Sequence, residues 1–265
     1  MQPAGSFHCH DFEWADLAAT WKQAPPLEGV DAASLGALAQ DHWDVFHAKN
    51  NGKVYKPRNY LGKEFPELVT TAPIRVLEVG CGYGSAIFPL LAQSPAMHAD
   101  VCDFSQHAIE ILRAHEAYEA SRCNAFVCDI ANDKIDVPDA SIDVALVVFV
   151  LSAILPGAMD AVVAKLHKAL KPGGLVCFRD YGLYDLAMRR STKRIGSDEA
   201  DALYFRGDST LASFFSVEAV ADLFGRYFEV VENEYNTVRL RNRKTGTNMD
   251  RVFVHAKLRK PLDTL

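Results

Sequence analysis

The chain has 265 residues and a mass of 29.3 kDa, with 49% hydrophobic residues, 23% charged residues and a formal net charge of −6. This is the balance of a globular protein long enough for one large α/β domain with an appendage. No apolar run approaches the roughly 20 residues needed to span a bilayer.

Asp11, Glu13 and Asp16 near the start, with no arginine before Arg58, argue against a secretory signal or transit peptide. Six cysteines (Cys9, Cys81, Cys102, Cys123, Cys128, Cys177) form no C-x-x-C pair. They read as reduced, buried thiols of a cytosolic protein, with no zinc site. Residues 1–40 read as a variable arm, with Pro25-Pro26 and an Ala/Leu-rich stretch from Val30 to Gln40 suggesting a short helix. Residues 41–72 form a second segment. There Trp43, Phe46 and His47 share a helical face, and Lys56 and Arg58 lie among Tyr55 and Tyr60. Such a face packs on a core; aromatics interleaved with cations also suit a nucleic-acid base and its phosphates.

From residue 73 to 261 strands and helices alternate. Strands are predicted at Arg75–Gly80, Ala99–Asp103, Asn124–Cys128, Val144–Val150 and Leu175–Arg179, with helices Ser85–Ala92, Ser105–Ala120 and Ala158–Leu170 between them. A helix at Val217–Phe224 precedes two strand-like runs, Phe228–Arg241 and Arg251–Lys260. The rhythm predicts a mostly parallel seven-stranded sheet with a C-terminal antiparallel hairpin and an N-terminal helical cap. Lys171-Pro172-Gly173-Gly174 reads as a tight turn.

The first strand ends in Glu78-Val79-Gly80-Cys81-Gly82-Tyr83-Gly84. Glycine suits a sharp strand-to-helix turn that needs positive φ and a ligand close to bare backbone. A dinucleotide site would continue to a third glycine where Ser85 stands, and Glu78 would face its pyrophosphate unfavourably. An acid there suits a cationic ligand such as S-adenosylmethionine, and E-x-G-C-G-x-G resembles motif I of the class I methyltransferases. Ligands of such sheets bind beyond the carboxyl ends of the strands. Asp103 stands there for ribose hydroxyls, Asp129 and the Ile130 N–H for adenine, and Val147–Ser152 offers an apolar wall including Val148. Asp129 could equally cap a helix.

More of the chain carries a narrower resemblance. H-W-D-x-F, Y-K-x-R-x-Y-L, E-F-P-E-L, C-D-F-S, L-K-P-G-G and F-R-D-Y-G-L-Y-D occur in order between Asp41 and Pro261, with Tyr204-Phe205-Arg206 and Arg251-Val252-Phe253 downstream. The series resembles the tRNA 3-methylcytidine methyltransferases, nearest those acting on serine tRNAs in the cytosol. The resemblance implies a Rossmann-like class I fold and S-adenosylmethionine as cofactor. Trp43, His47, Glu78, Gly80, Gly82, Asp103, Phe104, Asp129, Ile130 and Val148 would line its site. It implies tRNA as substrate, contacted by Lys56, Arg58, Arg179, Tyr181, Arg206 and Arg251, and seryl-tRNA synthetase as a partner. Tyr is commoner at the His47 position, Trp at the Tyr60 position, and Pro57 interrupts a K-D-R stretch.

Cytosine N3 carries an in-plane lone pair, so its methylation needs alignment rather than a general base. Asp180, at a strand end, is the candidate acceptor for the base's exocyclic amine and developing charge, with Arg179 holding Asp180 or a phosphate. The target base must be unpaired or flipped. Eight basic residues between Asn236 and Leu265 (Arg239, Arg241, Arg243, Lys244, Arg251, Lys257, Arg259, Lys260) face only Asp250 and Asp263. Arg189, Arg190, Lys193 and Arg194 make a second cluster. Such runs usually form a solvated basic face; flanking a base pocket, they read better as phosphate contacts. A small-molecule methyltransferase and a catalytically silent tRNA- or synthetase-binding protein remain the alternatives.

Overall fold

The computed structural model of the protein describes residues 10–23, 25–26, 43, 45, 56–191, 193–195, 202–206, 210–242 and 245–262. The expected helix at 30–40, His47, Arg243 and Lys244 lie outside them. Seven strands build the main sheet: β1 (Ile74–Val79), β2 (Met97–Asp103), β3 (Cys123–Val127), β4 (Ile142–Val148), β5 (Leu170–Tyr181), β9 (Glu229–Arg241) and β10 (Asn248–Arg259). Their order is β3-β2-β1-β4-β5-β10-β9, and only β10 runs antiparallel to its neighbours. The chain moves outward from β1 to β3 and then returns to the other side of β1. That reversal opens a crevice past the carboxyl ends of β1 and β4. A small antiparallel sheet of β6 (Arg194–Ile195), β7 (Leu203–Phe205) and β8 (Leu211–Ala212) is set between β5 and β9 in sequence.

Alternation along the strands separates two cores. Leu77, Val79, Val147 and Phe178 pack with helix α5 (Pro156–Ala169) and helix α6 (Val217–Phe224). Val76, Leu146, Val148 and Cys177 pack with α2 (Leu61–Glu64), α3 (Ile87–Gln93) and α4 (Gln106–Arg113). In α5 the buried residues Met159, Val162, Val163, Leu166 and Ala169 recur at helical spacing, and proline opens the first turn where its missing N–H costs nothing. Ser105 caps α4 by accepting from the Ala108 N–H at 3.2 Å. The five described cysteines are free and buried, and no helix of the described residues is long and apolar enough to cross a membrane.

Three local expectations need correction. Helix α4 ends at Arg113 rather than Ala120, because positions 113–117 are exposed and supply no apolar stripe to hold another turn. Strand β4 stops at Val148, where Phe149 takes φ 59 and turns the chain. Lys171–Gly174 lies within β5 as an irregular start: Gly173, at φ 77, donates its N–H to the Lys260 carbonyl at 3.0 Å. The arm is also more ordered in its path than its composition suggests. Helix α1 (Trp14–Thr20) follows a segment in which His10 bridges Thr237 of β9, and Trp14 stacks on Tyr235 at 4.7 Å.

Candidate active site

The glycine turn adopts the conformation its sequence demands. Gly80 and Gly82 have φ of 62 and 52, and a Cβ on Gly80 would meet a Val150 methyl at 2.5 Å. Gly80 is exposed and Gly82 half-buried, so this backbone faces a ligand space. Asp103 at the end of β2 is 7% exposed and holds the turn directly. Its carboxylate accepts from the Gly82 N–H at 2.9 Å and from the Ser105 N–H at 3.0 Å. Phe104 beside it is half-buried.

Glu78 is 4% exposed, and its Oε2 has no hydrogen-bond partner. Burial raises its pKa to about 8; the positive Arg58 opposes that, the negative Asp103 adds to it, and the Ile87 N–H draws it down. A cationic group seated here would supply the charge that the buried acid lacks. The donor set therefore fits an S-adenosylmethionine-like ligand: open glycine backbone, a buried under-compensated acid and a second acid at the next strand end. Asp129 is half-buried and engaged locally, accepting from the Ala131 N–H at 2.9 Å and from Asn132 Nδ2 at 2.7 Å. It caps a turn rather than a helix. Ile130 and Val148 are 7% and 5% exposed. Trp43 is helical and half-buried.

Beyond β4 and β5 the structure gathers most of the residues expected to contact substrate. Phe149 lies 4.9 Å from Tyr181 and 5.5 Å from Phe253, ring centre to ring centre. Four guanidinium groups sit over this aromatic cluster: Arg58 over Phe149 at 4.8 Å, Arg206 over Tyr181 at 5.8 Å, and Arg251 and Arg179 over Phe253 at 5.0 and 4.3 Å. The Arg58 N–H is pinned to the Ser85 carbonyl at 2.8 Å, so the same residue borders the glycine turn and the aromatic cluster. Lys56 is exposed just before it. Tyr181 has its pKa raised, chiefly by burial, against the pull of Arg206 and Arg251.

The stretch F-R-D-Y-G-L-Y-D distributes its charges differently from expectation. Consecutive strand residues face opposite sides of a sheet, so Arg179 and Asp180 cannot pair. Arg179, 3% exposed, bonds Glu64 of α2. That makes it a buried internal partner, not a phosphate contact. Asp180 is fully buried on the other face. Its Oδ2 accepts from the Ser152 N–H at 3.0 Å and its Oδ1 from the Tyr181 N–H at 2.8 Å. Burial raises its pKa to about 6, and donors from Ser152, Tyr181 and Val150 limit the rise. The carboxylate thus binds the 150–152 loop instead of lying open on the cleft surface. Asp185, which sequence reading passed over, is fully buried and takes Arg251 bidentately at 2.8 and 3.2 Å.

The basic runs are partly consumed inside the protein. Arg194 is buried, Arg239 pairs with Asp250 at 2.6 Å, and Lys257 pairs with Glu67 at 2.9 Å. Lys260 Nζ donates to the His167 and Leu170 carbonyls at the end of α5. Arg189, Arg190 and Arg241 are exposed. Among the described residues no group of His, Cys, Asp and Glu could hold a metal ion.

Comparison with known proteins bears on this geometry. A family model described as a methyltransferase domain matches residues 77–176. A solved Burkholderia thailandensis 1,6-didemethyltoxoflavin-N1-methyltransferase, crystallised with S-adenosylhomocysteine, shares the fold at a TM-score of 0.61 and 17% identity, covering 90% of this chain and 95% of its own. The Drosophila melanogaster tRNA N(3)-methylcytidine methyltransferase Mettl2 is 39% identical over 260 residues, 94% of this chain and 79% of that protein. Human tRNA N(3)-cytidine methyltransferase METTL6 is 40% identical over 231 residues, 84% of this chain and 81% of its own. With a seven-stranded class I sheet and relatives of this closeness over most of its length, the chain belongs to the tRNA N(3)-cytidine methyltransferase family.

Proposed function

We propose that the protein transfers a methyl group from S-adenosylmethionine to N3 of a cytidine in a tRNA anticodon loop. The observation that carries this reading is the convergence of Arg58, Arg206 and Arg251 on the Phe149–Tyr181–Phe253 cluster, directly beside the glycine turn. Aromatic faces suit a flipped base, and arginines around them suit its flanking phosphates.

S-adenosylmethionine, when bound, supplies a methyl group on a sulfonium centre. The chain supplies the rest. Glu78 would face the cofactor's positive charge, Asp103, which fixes Gly82, would hold the ribose, and Asp129, Ile130, Phe104 and Val148 would border the adenine. Trp43 and His47 are the residues that would close over the adenosine. Phe149 and Tyr181 sandwich or flank the cytosine so that its N3 lone pair lines up with the methyl group; no side chain needs to remove a proton from N3 first. Lys56, Arg58, Arg206 and Arg251 carry the RNA backbone. Asp180 orients Tyr181 and the 150–152 loop through the Tyr181 and Ser152 N–H groups, and so acts on the base through them. Serine tRNA is the proposed substrate, seryl-tRNA synthetase the proposed partner and the cytosol the proposed compartment. The reduced, buried thiols support the last of these.

The test is methyl transfer from isotopically labelled cofactor to total tRNA, followed by nucleoside digestion and mass spectrometry. Label in 3-methylcytidine is the expected result. Label in another nucleoside, or transfer only to small molecules, would overturn the reading.

A further inference from the structure

On one face of the sheet, a row of buried charged groups runs from the hairpin toward the aromatic cluster. In β5 and β10, Arg179 lies opposite His255 and Cys177 opposite Lys257; in β9, Glu232 lies opposite Lys257. Glu64 Oε1 bonds Arg179 and lies 3.2 Å from His255 Nδ1; the other ring nitrogen, Nε2, lies 3.0 Å from Glu232 Oε2. Lys257 Nζ then joins Glu232 at 3.2 Å to Glu67 at 2.9 Å. Asn236 Nδ2 adds a weak contact to Glu64 at 3.4 Å. Glu64, Arg179, His255 and Lys257 are each less than a tenth exposed.

Both ends of this chain matter. Glu64 and Glu67 belong to the segment 58–68, which is otherwise held by apolar packing of Leu61, Phe65 and Leu68 and, at its two ends, by hydrogen bonds from the Arg58 N–H to the Ser85 carbonyl and from the Ser94 hydroxyl to the Leu68 carbonyl. Phe65 stacks on the His255 ring at 4.8 Å. Arg179, held by Glu64, lies 4.3 Å over Phe253 and 5.4 Å from the Tyr60 ring. The network therefore fixes Tyr60 and Phe253, and two residues before Tyr60 stands Arg58, over Phe149. Buried ion pairs contribute little net stability against apolar replacements, but they fix geometry where a register must be unique.

We propose that Glu64, Arg179 and His255 are positioning residues for methyl transfer: they lock the segment 58–68 onto the sheet so that Arg58 and Phe253 meet the substrate base in one arrangement. The inference rests on the proposed function for its kinetic consequence, though not for its structural one. Buried ions this close to the cleft are otherwise an expensive way to attach a short helix.

The network is also pH-sensitive. Burial works against a charged His255, but hydrogen bonds and charge from Glu64 and Glu232 outweigh it and hold its pKa above the ordinary histidine value. Arg179 and Lys257 face the same ring region with positive charge, Glu67 lies beyond Lys257, and Glu234 lies opposite His255 but reaches out to His10 at 3.9 Å. A raised histidine pKa gives a contribution complete below the ordinary value and lost as pH rises through the raised one.

The experiment compares wild type, Glu64→Gln and His255→Gln by hydrogen exchange, by cofactor calorimetry and by steady-state kinetics on tRNA. Both variants are expected to exchange faster at amides 58–68, with β1 to β4 unchanged and cofactor affinity retained. Misplacement of this kind is expected to lower kcat by about ten- to a hundredfold. In wild type kcat should decline on the alkaline side of the ordinary histidine range, and His255→Gln should flatten that limb. Wild-type kcat in both variants, or exchange unchanged at 58–68, overturns the proposal, as does a parallel loss of cofactor affinity and melting temperature. Should Glu64→Gln fail to fold, His255→Gln decides by the same readouts. A wild type inactive on tRNA refutes the proposed function alone, because the exchange measurement still decides the locking of 58–68.

Discussion

The two halves of the cleft treat buried charge in opposite ways. Around the glycine turn, Glu78 lies buried with one carboxylate oxygen lacking a hydrogen bond and its pKa raised to about 8. Around β5 and the hairpin, Asp180, Asp185, Arg179, His255 and Lys257 each have a protein partner within hydrogen-bond reach. A buried acid left short of compensation costs stability unless something else supplies positive charge. The first half is therefore shaped for a ligand that brings charge. The second pairs its buried charges with one another, although Glu64 Oε2 and Glu67 Oε2 are also left without a hydrogen bond, and presents arginine and aromatic faces to its ligand.

That contrast can be broken most sharply at Asp180. If it belongs to the internally paired half, Asp180→Ala strands the Ser152 and Tyr181 N–H donors and should cost about 3 kcal/mol of stability, read by chemical denaturation. Loss of turnover at unchanged stability would instead make it a group that meets the base. Next comes Asp103→Ala. Losing the ribose acceptor and the clamp on Gly82 should weaken cofactor binding about a hundredfold, since hydrogen bonds to a charged group contribute about 1.5–3 kcal/mol each. Unchanged affinity by calorimetry would remove the ligand from this half.

Glu78 gives a smaller and more diagnostic effect. Its folded pKa lies above the ordinary value, so the folded state binds the proton more tightly, and cofactor-free stability should fall as pH rises from about 4.5 toward 8. Glu78→Gln should flatten that decline, a difference on the order of 1–3 kcal/mol at alkaline pH once relaxation is allowed for. A parallel pH profile in the variant would show that Glu78 is compensated after all. The smallest change is expected at the hairpin tip. Arg241→Ser can remove at most one phosphate contact, so the slope of log tRNA affinity against log salt should shift by no more than about 0.9.

The sheet, its reversed strand and the glycine turn were legible because each is a local pattern: apolar runs of strand length, helical spacing, glycine where φ is positive. The positions of Glu78, Asp103 and Asp129 were legible too, because each lies at or just beyond the carboxyl end of a strand. What escaped was pairing across long separations. Nothing near Arg179 in sequence announces Glu64, 115 residues away, and the adjacent Asp180 is an obvious but geometrically forbidden partner. Asp185 was within a recognised motif, yet its role depends on Arg251, 66 residues later. The basic C-terminal run was overcounted as an RNA surface because sequence shows charge without showing which charges are already engaged. The arm was undervalued for a similar reason, since Ala-rich composition conceals single anchoring residues such as Trp14.

That arm has a consequence for solubility. An outermost strand offers unpaired N–H and C=O groups to any passing strand, including those of another copy. In β9 the stretch near Glu229, Glu232 and Glu234 is exposed and guarded by carboxylates, while the stretch around Thr237 is nearly free of them. The arm covers that stretch: Asp11 donates to the Thr237 carbonyl at 2.9 Å and its side chain accepts from the Arg239 N–H at 2.8 Å. Removing only the arm, residues 1–40, would thus uncover an adhesive strand edge and promote self-association through β9, even with every proposed cofactor and RNA contact left in place.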